Sequence, residues 1–292
     1  MKPADILLAI SVAVVWGLAF VLSKELLRHI SPTMLCMLRF GIAALPCFFV
    51  ARPKVAWPLL FAIGICLFLF QFLMQAYGLA HGVPPGLMAV LVQMQALFTV
   101  ALAAIFLGER PTRPQVIGIS IAVVGLAMIC STIGYDFSLL TFALTMVSPV
   151  SFSIGNLLVR QTGDVPMFDL VSWISLLQVP PLLAVAFATE GPQAAIGSVL
   201  GLSGSMIAIA LLIGLVSTSA GYWAWGRLLR SYTAAQVVPF ALLVPFTAAV
   251  MSWLVFGDTI EPLRVVGMMV VVAGIAVMLL LGRKRNLPEI AS

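Results

Sequence analysis

The sequence predicts an all-α membrane protein in which ten transmembrane helices form two inverted five-helix repeats. Three observations support this fold class. The chain is 62% hydrophobic and only 9% charged. Its apolar residues fall into segments that are each close to the ~20 residues a membrane-spanning helix needs. A similar sequence motif occurs twice, as LGERPTRPQVIG from Leu107 and as FGDTIEPLRVVG from Phe256.

The composition indicates that lipid surrounds most of the chain. Soluble domains carry about 25% charged residues, so 9% is too little to cover an aqueous surface. The net charge of +5 comes from scattered basic residues at the edges of apolar segments, which favours membrane topology over a nucleic-acid partner. Four cysteines lack disulfide or metal-ligand spacing and are interpreted as packing residues: Cys36, Cys47, Cys66 and Cys130.

Short connections with turn-forming residues separate the apolar segments. The ten predicted spans are 6–23, 34–50, 58–79, 85–107, 115–133, 139–159, 167–188, 205–228, 234–256 and 262–281. The first span follows Lys2, as the apolar run of a signal peptide would. It is long for that role and lacks a small-residue cleavage site before Lys24, so we expect a retained helix.

Lys and Arg concentrate on the cytoplasmic side of membrane proteins. With ten spans, the basic residues on the side that holds both termini are Lys2, Arg52, Lys54, Arg110, Arg113, Arg160, Arg227, Arg230, Arg283, Lys284 and Arg285. The basic residues on the other side are only Lys24, Arg28 and Arg264. This uneven distribution of Lys and Arg predicts that both termini are cytoplasmic. We expect a first repeat over 1–134, a second over 135–285 and a short cytoplasmic tail over 286–292.

The repeated motif predicts that the two halves of the chain have opposite orientations in the membrane. Glu109 follows the fourth span and Asp258 follows the ninth. An odd number of crossings separates them, so the two copies should face opposite sides of the membrane, as in many secondary transporters. For these acids, helix capping and a transport role both remain open; Asp258 and Glu261 have the spacing of a capping box.

Glycines recur at matching places in the fifth and tenth spans. Gly118 and Gly125 match Gly267 and Gly274. Small residues let membrane helices approach closely. We therefore expect a tight helix contact at these glycines, either within one chain or between two chains of a homodimer.

Several short motifs carry a resemblance to a known family. They are Trp16-Gly17, Leu38-Arg39-Phe40, Gln93-Met94-Gln95-Ala96 and the Gly108-Glu109 turn. In this order along ten spans, they resemble the EamA family of the drug/metabolite transporter superfamily, and within it the amino-acid exporters. The resemblance implies a bacterial inner-membrane exporter of amino acids or related small metabolites. The halves have diverged, because Gln93 and Gln95 match Leu242 and Val244.

Polar groups inside spans are costly unless they face partners or a wet cavity, so they mark a candidate pathway. The candidate pathway residues are Trp16, Phe20, Arg39, Gln71, Gln75, Gln93, Gln95, Asn156, Tyr222 and Trp223. Gln93 and Gln95 are ~200° apart on an ideal helix, so we expect only one of them to line the pathway. The alternative for each amide is an interhelical bond worth about 0.6 kcal/mol. Trp223 has a second interpretation, as a residue of the interfacial aromatic belt.

Few charged or kink-forming residues lie where they could act on a substrate. Arg39 is interpreted either as a counter-charge for a substrate carboxylate or as a tether to backbone carbonyls, with a head that can extend towards the outer surface. Lys24 and His81 are placed at the outer mouth, and His81 has a second interpretation as a plain turn residue. Pro239 and Pro245 predict kinks that either gate the pathway or shape the bundle.

All ten acids lie at or beyond the span ends, so no intramembrane carboxylate is available for a proton relay.

An enzyme is not expected, because nucleophile motifs and a His-x-x-x-His pair are missing. We expect no cofactor and no metal. The predicted partners are a small-molecule substrate and the lipid bilayer. The leading hypothesis is a secondary transporter that exports amino acids or small neutral or zwitterionic metabolites. The alternatives are a multidrug exporter of the same superfamily and a membrane scaffold.

Overall fold

The computed structural model describes residues 1–132, 136–163, 165–258 and 261–281, and the regular structure within these ranges is helical throughout. The helices in chain order are α1 (Pro3–Leu26), α2 (Pro32–Phe48), α3 (Trp57–Ala80), α4 (Pro85–Leu107), α5 (Arg113–Cys130), α6 (Leu139–Val159), α7 (Met167–Thr189), α8 (Pro192–Leu200), α9 (Gly204–Ser231), α10 (Val238–Phe256) and α11 (Pro262–Leu281). One helical turn, Ala234–Val237, leads into α10. The predicted tail, 286–292, lies outside the described residues, as do Arg283, Lys284 and Arg285.

Nine helices within the described ranges are long and apolar enough to cross a membrane, namely all except α2 and α8. The α-helical part of α2 ends at Ala43, and the chain continues as a 3-10 helix, Leu45–Phe48. Pro46 lacks a backbone N–H and interrupts the regular ladder there. The second predicted span, 34–50, is therefore helical but shorter than a regular crossing. Helix α8 was not predicted; Gly191 and Pro192 start it in a segment interpreted as a loop.

Local sequence explains where helices begin and end. Serine side chains at Ser31 and Ser138 accept from the backbone N–H three residues later, at 3.1 Å, and so cap α2 and α6. Gly108 and Gly257 end α4 and α10 with φ of +67° and +65°, a conformation that favours glycine.

The predicted capping box of Asp258 with Glu261 is wrong. Glu261 lies directly before α11, and its carboxylate accepts from the backbone N–H of Arg264 at 2.9 Å. Glu261 is thus itself the capping residue. Asp258 instead binds Lys24 from α1, with 3.1 Å between the ammonium nitrogen and a carboxylate oxygen.

The two halves depart from regular α-helix at matching places. Helix α3 contains a π-helical stretch, Ile65–Phe70, and α9 contains another, Leu212–Ala220. Helix α4 breaks at Met94. Helix α10 starts as a 3-10 helix, Val238–Leu242, and becomes regular at Leu243. At the offset that relates Leu107 to Phe256 (256 minus 107, or 149), the break at Met94 corresponds to Leu243. Such irregular segments in membrane helices often line cavities.

The two predicted kink prolines have different surroundings. Pro239 lies inside the 3-10 helix at the start of α10, where its missing N–H is consistent with the irregular geometry. Pro245 is the third residue of the regular part, Leu243–Phe256. Because Pro245 has no N–H, it cannot bond the carbonyl of Ala241 four residues earlier, and that carbonyl accepts from the Gln93 amide at 2.8 Å instead. The kink at Pro245 stays a prediction.

Helices α5 and α11 pack closely and run antiparallel. A Cβ atom added at Gly118 would lie 2.5 Å from the carbonyl oxygen of Gly274, and one at Gly125 would lie 2.7 Å from that of Gly267. The early residues of α5 thus face the late residues of α11. The tight glycine contact expected from the sequence lies within one chain, between the two halves.

Helices α4 and α10 also run antiparallel. A Cβ atom added at Gly86 would lie 2.8 Å from the Cα atom of Ala249, whereas the Gln93 amide nitrogen is 2.8 Å from the carbonyl oxygen of Ala241. The C-terminal ends of α4 and α10 therefore lie at opposite ends of the bundle. We call these the Arg160 end, where α4 and α6 finish, and the Lys24 end, where α1 and α10 finish.

Candidate functional site

A central cavity of about 510 Å³ lies among helices of both halves. Its lining reaches Ser23, near the Lys24 end, and Val159, near the Arg160 end. Cavities of about 300–1,000 Å³ are typical of sites for small molecules. The cavity therefore has the size and central position of a binding site for a small metabolite.

The cavity lining includes most of the residues singled out from the sequence. These are Trp16, Phe20, Arg39, Gln71, Gln75, Gln93, Gln95, Asn156 and Tyr222. Trp223 does not line the cavity. Its side chain is 44% exposed on the outside of α9, with the Arg227 guanidinium carbon 5.9 Å from the ring centre. Tyr222 and Trp223 are adjacent in a helix and so point about 100° apart, and only Tyr222 points inward.

Arg39 is a buried cation at the cavity wall and is only 8% exposed. Its Nε donates to the hydroxyl of Thr218 at 2.9 Å, and its guanidinium carbon lies 4.1 Å from the ring centre of Phe72. The two terminal nitrogens have no hydrogen-bond acceptor among the described residues. The cavity lining, as described, contains no carboxylate. The arginine is thus held in place while one edge of its guanidinium stays free for a ligand.

Both simple structural interpretations of Arg39 are corrected by this geometry. Its head does not extend to the protein surface, because the side chain is buried. It does not bind a backbone carbonyl, because its acceptor is the Thr218 hydroxyl. That hydroxyl in turn donates to the carbonyl oxygen of Ile213 at 3.0 Å, five residues earlier in the π-helical stretch. The irregular segment of α9 therefore supplies the acceptor that holds Arg39.

Four glutamine side chains in the middle of the cavity fall into two groups. Gln75 and Gln93 are bonded: Gln75 donates to the Ser148 hydroxyl at 3.2 Å, and Gln93 donates to the Ala241 carbonyl at 2.8 Å. The side-chain oxygens of Gln71 and Gln95 have no partner within the described part of the chain, and the same holds for the Ser217 hydroxyl. An unpaired buried acceptor is costly unless a ligand or water supplies a donor. Gln71 and Gln95 therefore offer acceptors to a bound molecule.

The expectation that only one of Gln93 and Gln95 lines the cavity is wrong. Both belong to its lining. The expectation assumed an ideal helix, whereas α4 ends one helical segment at Gln93 and starts the next at Gln95. The break at Met94 changes the angle between the two side chains. Gln93 thus lines the cavity and also bonds a helix of the other half.

Aromatic rings form much of the remaining wall. The indole N–H of Trp16 donates to the Ser217 carbonyl at 3.0 Å, and its ring centre lies 5.7 Å from that of Tyr222. Phe68 stacks on Phe40 at 4.7 Å and was not singled out from the sequence. Phe68 and Phe72 are four residues apart, beside Gln71 and Gln75, so helical periodicity was a signal that could have identified Phe68.

Lys24 and His81, predicted at the outer mouth, lie outside the cavity lining. Lys24 pairs with Asp258 at 3.1 Å. The His81 ring stacks on Tyr77 at 3.9 Å, and its Nδ1 lies 2.8 Å from the Tyr77 carbonyl oxygen. His81 thus makes the local contacts of a residue at a helix end. Among the described residues, no group of three His, Cys, Asp or Glu side chains is placed to hold a metal ion.

Together, these features define a multi-pass helical membrane protein in which two related halves enclose a central cavity with a few polar groups in a largely apolar wall. The comparison with protein families identifies the class. The model of the EamA-like transporter family matches this chain twice, at residues 4–131 and 139–280. The chain belongs to this family, and it contains the family domain twice. The resemblance drawn from the sequence motifs is confirmed.

Three curated proteins of named function are similar to this chain. The chain is 33% identical over 282 residues to a "Probable amino-acid metabolite efflux pump" of Salmonella typhimurium. The matched region covers 94% of each of the two proteins. The Escherichia coli protein of the same description is 32% identical, with the same coverage. A "Probable terminal-alkyne amino-acid exporter" of Streptantibioticus cattleyicolor is 31% identical, over 72% of this chain and 69% of its own. The family and these relatives are transporters and not enzymes.

Proposed function

We propose that this protein is an inner-membrane secondary transporter that exports amino acids, or related small zwitterionic metabolites, by alternating access. The observation that carries the proposal is Arg39. It is a buried guanidinium without a carboxylate partner among the described residues, and it lines a cavity large enough for a small metabolite. The relatives described as amino-acid efflux pumps support this substrate class.

Arg39 is well suited to bind a carboxylate. A buried charge is costly unless it is paired, and a guanidinium offers parallel N–H groups that match the two oxygens of a carboxylate. Thr218 and Phe72 occupy Nε and one face of the group, which leaves the terminal nitrogens available. A substrate carboxylate would supply the missing counter-charge. A cationic drug would instead bring a second positive charge beside Arg39.

The amide oxygens of Gln71 and Gln95 suit the other end of a zwitterion. They accept hydrogen bonds, and they lack partners in the described part of the protein. An ammonium group has N–H donors to offer them. The lining otherwise consists largely of aromatic and aliphatic side chains, including Trp16, Phe20 and Phe72. The proposed substrate therefore carries a carboxylate, an N–H donor and an apolar side chain of variable shape.

The proposed alternating access rests on an inverted relation between the halves, which we place at 1–134 and 135–285. The antiparallel packing of α5 with α11 and of α4 with α10 supports this relation, because each pair joins matching helices. With cytoplasmic termini, as the basic residues suggest, the Arg160 end of the cavity faces the cytoplasm. Export would then load substrate at the Arg160 end and release it at the Lys24 end.

Counterflow in liposomes tests the proposal. A labelled amino acid should exchange through the purified protein, and unlabelled amino acids should compete about tenfold better than their amides, because a charge-assisted bond to Arg39 contributes 1.5 kcal/mol or more. Arg39→Gln should lower apparent affinity at least about tenfold for the same reason. Arg52→Gln is the control, because Arg52 binds only the nearby Val55 carbonyl and Trp57 ring.

The outcomes separate the candidate functions. Exchange of a cationic drug without exchange of any amino acid would contradict the proposal and favour a multidrug exporter. Equal competition by an amino acid and its amide would contradict the role of Arg39, even if Arg39→Gln did not fold. Transport of neither class by well-folded protein would favour a scaffold.

A further inference from the structure

Two ion pairs connect the halves of the protein, one at each end of the cavity. Lys24, in the last turn of α1, binds Asp258, which follows the C-terminal glycine of α10. Arg160, directly after α6, binds Glu109, which follows the C-terminal glycine of α4, at 2.9 Å. In both pairs, the basic residue lies at the C-terminal end of the first membrane span of one half. The acidic residue follows the fourth membrane span of the other half.

The helices that carry these pairs run side by side. A Cβ atom added at Gly17 of α1 would lie 2.8 Å from the Val244 carbonyl of α10, so α1 and α10 run in parallel towards the Lys24–Asp258 pair. Likewise, the Ser153 hydroxyl of α6 donates to the Gln95 carbonyl of α4 at 2.9 Å, and both helices then run to the Glu109–Arg160 pair.

The same four helices contribute to the wall of the cavity. Ser23, in the lining, precedes Lys24 in the chain, and Val159, also in the lining, precedes Arg160. Separation of α1 from α10 would therefore open the cavity at the Lys24 end. Separation of α4 from α6 would open it at the Arg160 end. Each separation breaks one of the two ion pairs.

The two pairs differ in their surroundings. The side chains of Lys24 and Asp258 are 23% and 21% exposed. Asp258 also accepts from the Ser252 hydroxyl, and the Lys24 ammonium lies 4.7 Å from the ring centre of Phe256. The Arg160 and Glu109 side chains are 50% and 55% exposed and make this one ion pair. Exposed ion pairs are screened by water and salt, so the Lys24–Asp258 pair is the stronger contact.

We propose that the Lys24–Asp258 and Glu109–Arg160 pairs are the closing contacts at the two ends of the cavity. Their unequal burial then favours the conformation that is closed at the Lys24 end and open at the Arg160 end. These four residues position helices and do not touch the substrate. The inference rests on the proposed transport function, because a cavity that opens alternately is useful only to a transporter.

A thiol in the cavity wall reports which end is open. The four native cysteines are replaced by alanine, and Ala96, a small lining residue of α4, is changed to cysteine. A membrane-impermeant maleimide is then applied to each face of oriented vesicles. Because labelling requires no substrate, a failure of the ion-pair proposal remains distinguishable from a failure of the proposed function.

Lys24→Met should raise the labelling rate from the Lys24 face by about fivefold and lower it from the other face, as expected when a favourable contact of one state is lost. Glu109→Gln should raise labelling from the Arg160 face by a smaller factor, about twofold or less. The charge-reversed double variant, Lys24→Asp with Asp258→Lys, should return the rates towards those of the parent.

Neighbouring charges provide matched controls. Glu25→Gln removes the charge next to Lys24, but Glu25 pairs only with Arg28 of the same helical end. Arg110→Gln removes the charge next to Glu109. Neither should change the labelling rates. Equal changes on both faces, unchanged rates in both pair variants, or equal effects of variants and controls would each overturn the proposal. If Lys24→Met does not insert, Asp258→Asn tests the same pair.

Discussion

Arg39 shows how a single residue receives its role from distant parts of the chain. The sequence identifies it as a strong charge within a span, and both a counter-charge and a tether were reasonable interpretations. The deciding contacts come from Thr218 and Phe72, on α9 and α3. Thr218 lies 179 positions away in sequence. No local pattern around Arg39 predicts that one of its nitrogens would be bonded and the others left free.

Thr218 is predicted to position Arg39 for the substrate. Thr218→Val keeps the shape of the side chain but removes the acceptor for Arg39 Nε. We expect the apparent affinity for a carboxylate substrate to fall by about tenfold, because a hydrogen bond to a charged group contributes roughly 1.5–3 kcal/mol. The maximal counterflow rate should change less. The measurement is the concentration dependence of counterflow, with the amino acid compared with its amide.

Two variants of the same π-helical stretch control this prediction. Thr218→Ser retains the hydroxyl and should restore most of the affinity. Ser219→Ala removes a hydroxyl that donates to the Gly214 carbonyl at 3.3 Å, whereas the hydrogen bond of Arg39 goes to Thr218. It should leave the preference for carboxylates unchanged. A similar loss of that preference in Ser219→Ala would indicate a general disturbance of α9, and the positioning role of Thr218 would be contradicted.

Among the helices, the sequence predicts the apolar segments well and their irregular places poorly. Hydropathy and turn residues predicted ten spans, and nine of them correspond to helices in the described residues that are long and apolar enough to cross the membrane. They did not predict the break at Met94 or the π-helical stretches of α3 and α9. Met94 carries no helix-breaking signal of its own. Its break is accompanied by contacts from elsewhere, such as the bond between Gln93 and the Ala241 carbonyl. Tertiary contacts therefore determine which of the predicted side chains reach the cavity.

The glycine contact between α5 and α11 yields a prediction about stability. Gly118→Ala places a Cβ atom 2.5 Å from the Gly274 carbonyl oxygen and 2.6 Å from the Met278 nitrogen. Backbone atoms cannot move aside as a flexible side chain can, so the helices must separate. Overpacking of this kind costs about 1–3 kcal/mol. The thermal unfolding midpoint of the detergent-solubilised protein should fall accordingly.

Gly41 in α2 allows the same substitution in open space. Nothing lies within 4 Å of the Cβ position there. Gly41→Ala should leave the unfolding midpoint unchanged or raise it slightly, because alanine favours a helix by about 0.5–1 kcal/mol over glycine. An equal decrease in both variants would show that the α5–α11 contact is not specially close-packed.

For the whole molecule, the repeated motif was the strongest indication of architecture in the sequence. It indicated two related halves, and the family domain is indeed present twice. Composition alone could not reveal the two halves, because the two copies are related by the order of their residue types and share few identical residues. The cavity residues are less symmetric than the helices that carry them: Gln93 and Gln95 match Leu242 and Val244. The sequence therefore predicts the architecture better than it predicts the chemistry of the site.

The central claim is that the two halves have opposite orientations and enclose a carboxylate-binding cavity. Arg110 and Asp258 each follow the end of a matching helix, α4 and α10. Single cysteines at these positions, in a cysteine-free background, can be labelled with a membrane-impermeant maleimide on intact cells and on inverted vesicles. We predict that Asp258→Cys reacts on intact cells and that Arg110→Cys reacts only on inverted vesicles. Reaction of both cysteines from the same face would contradict the account.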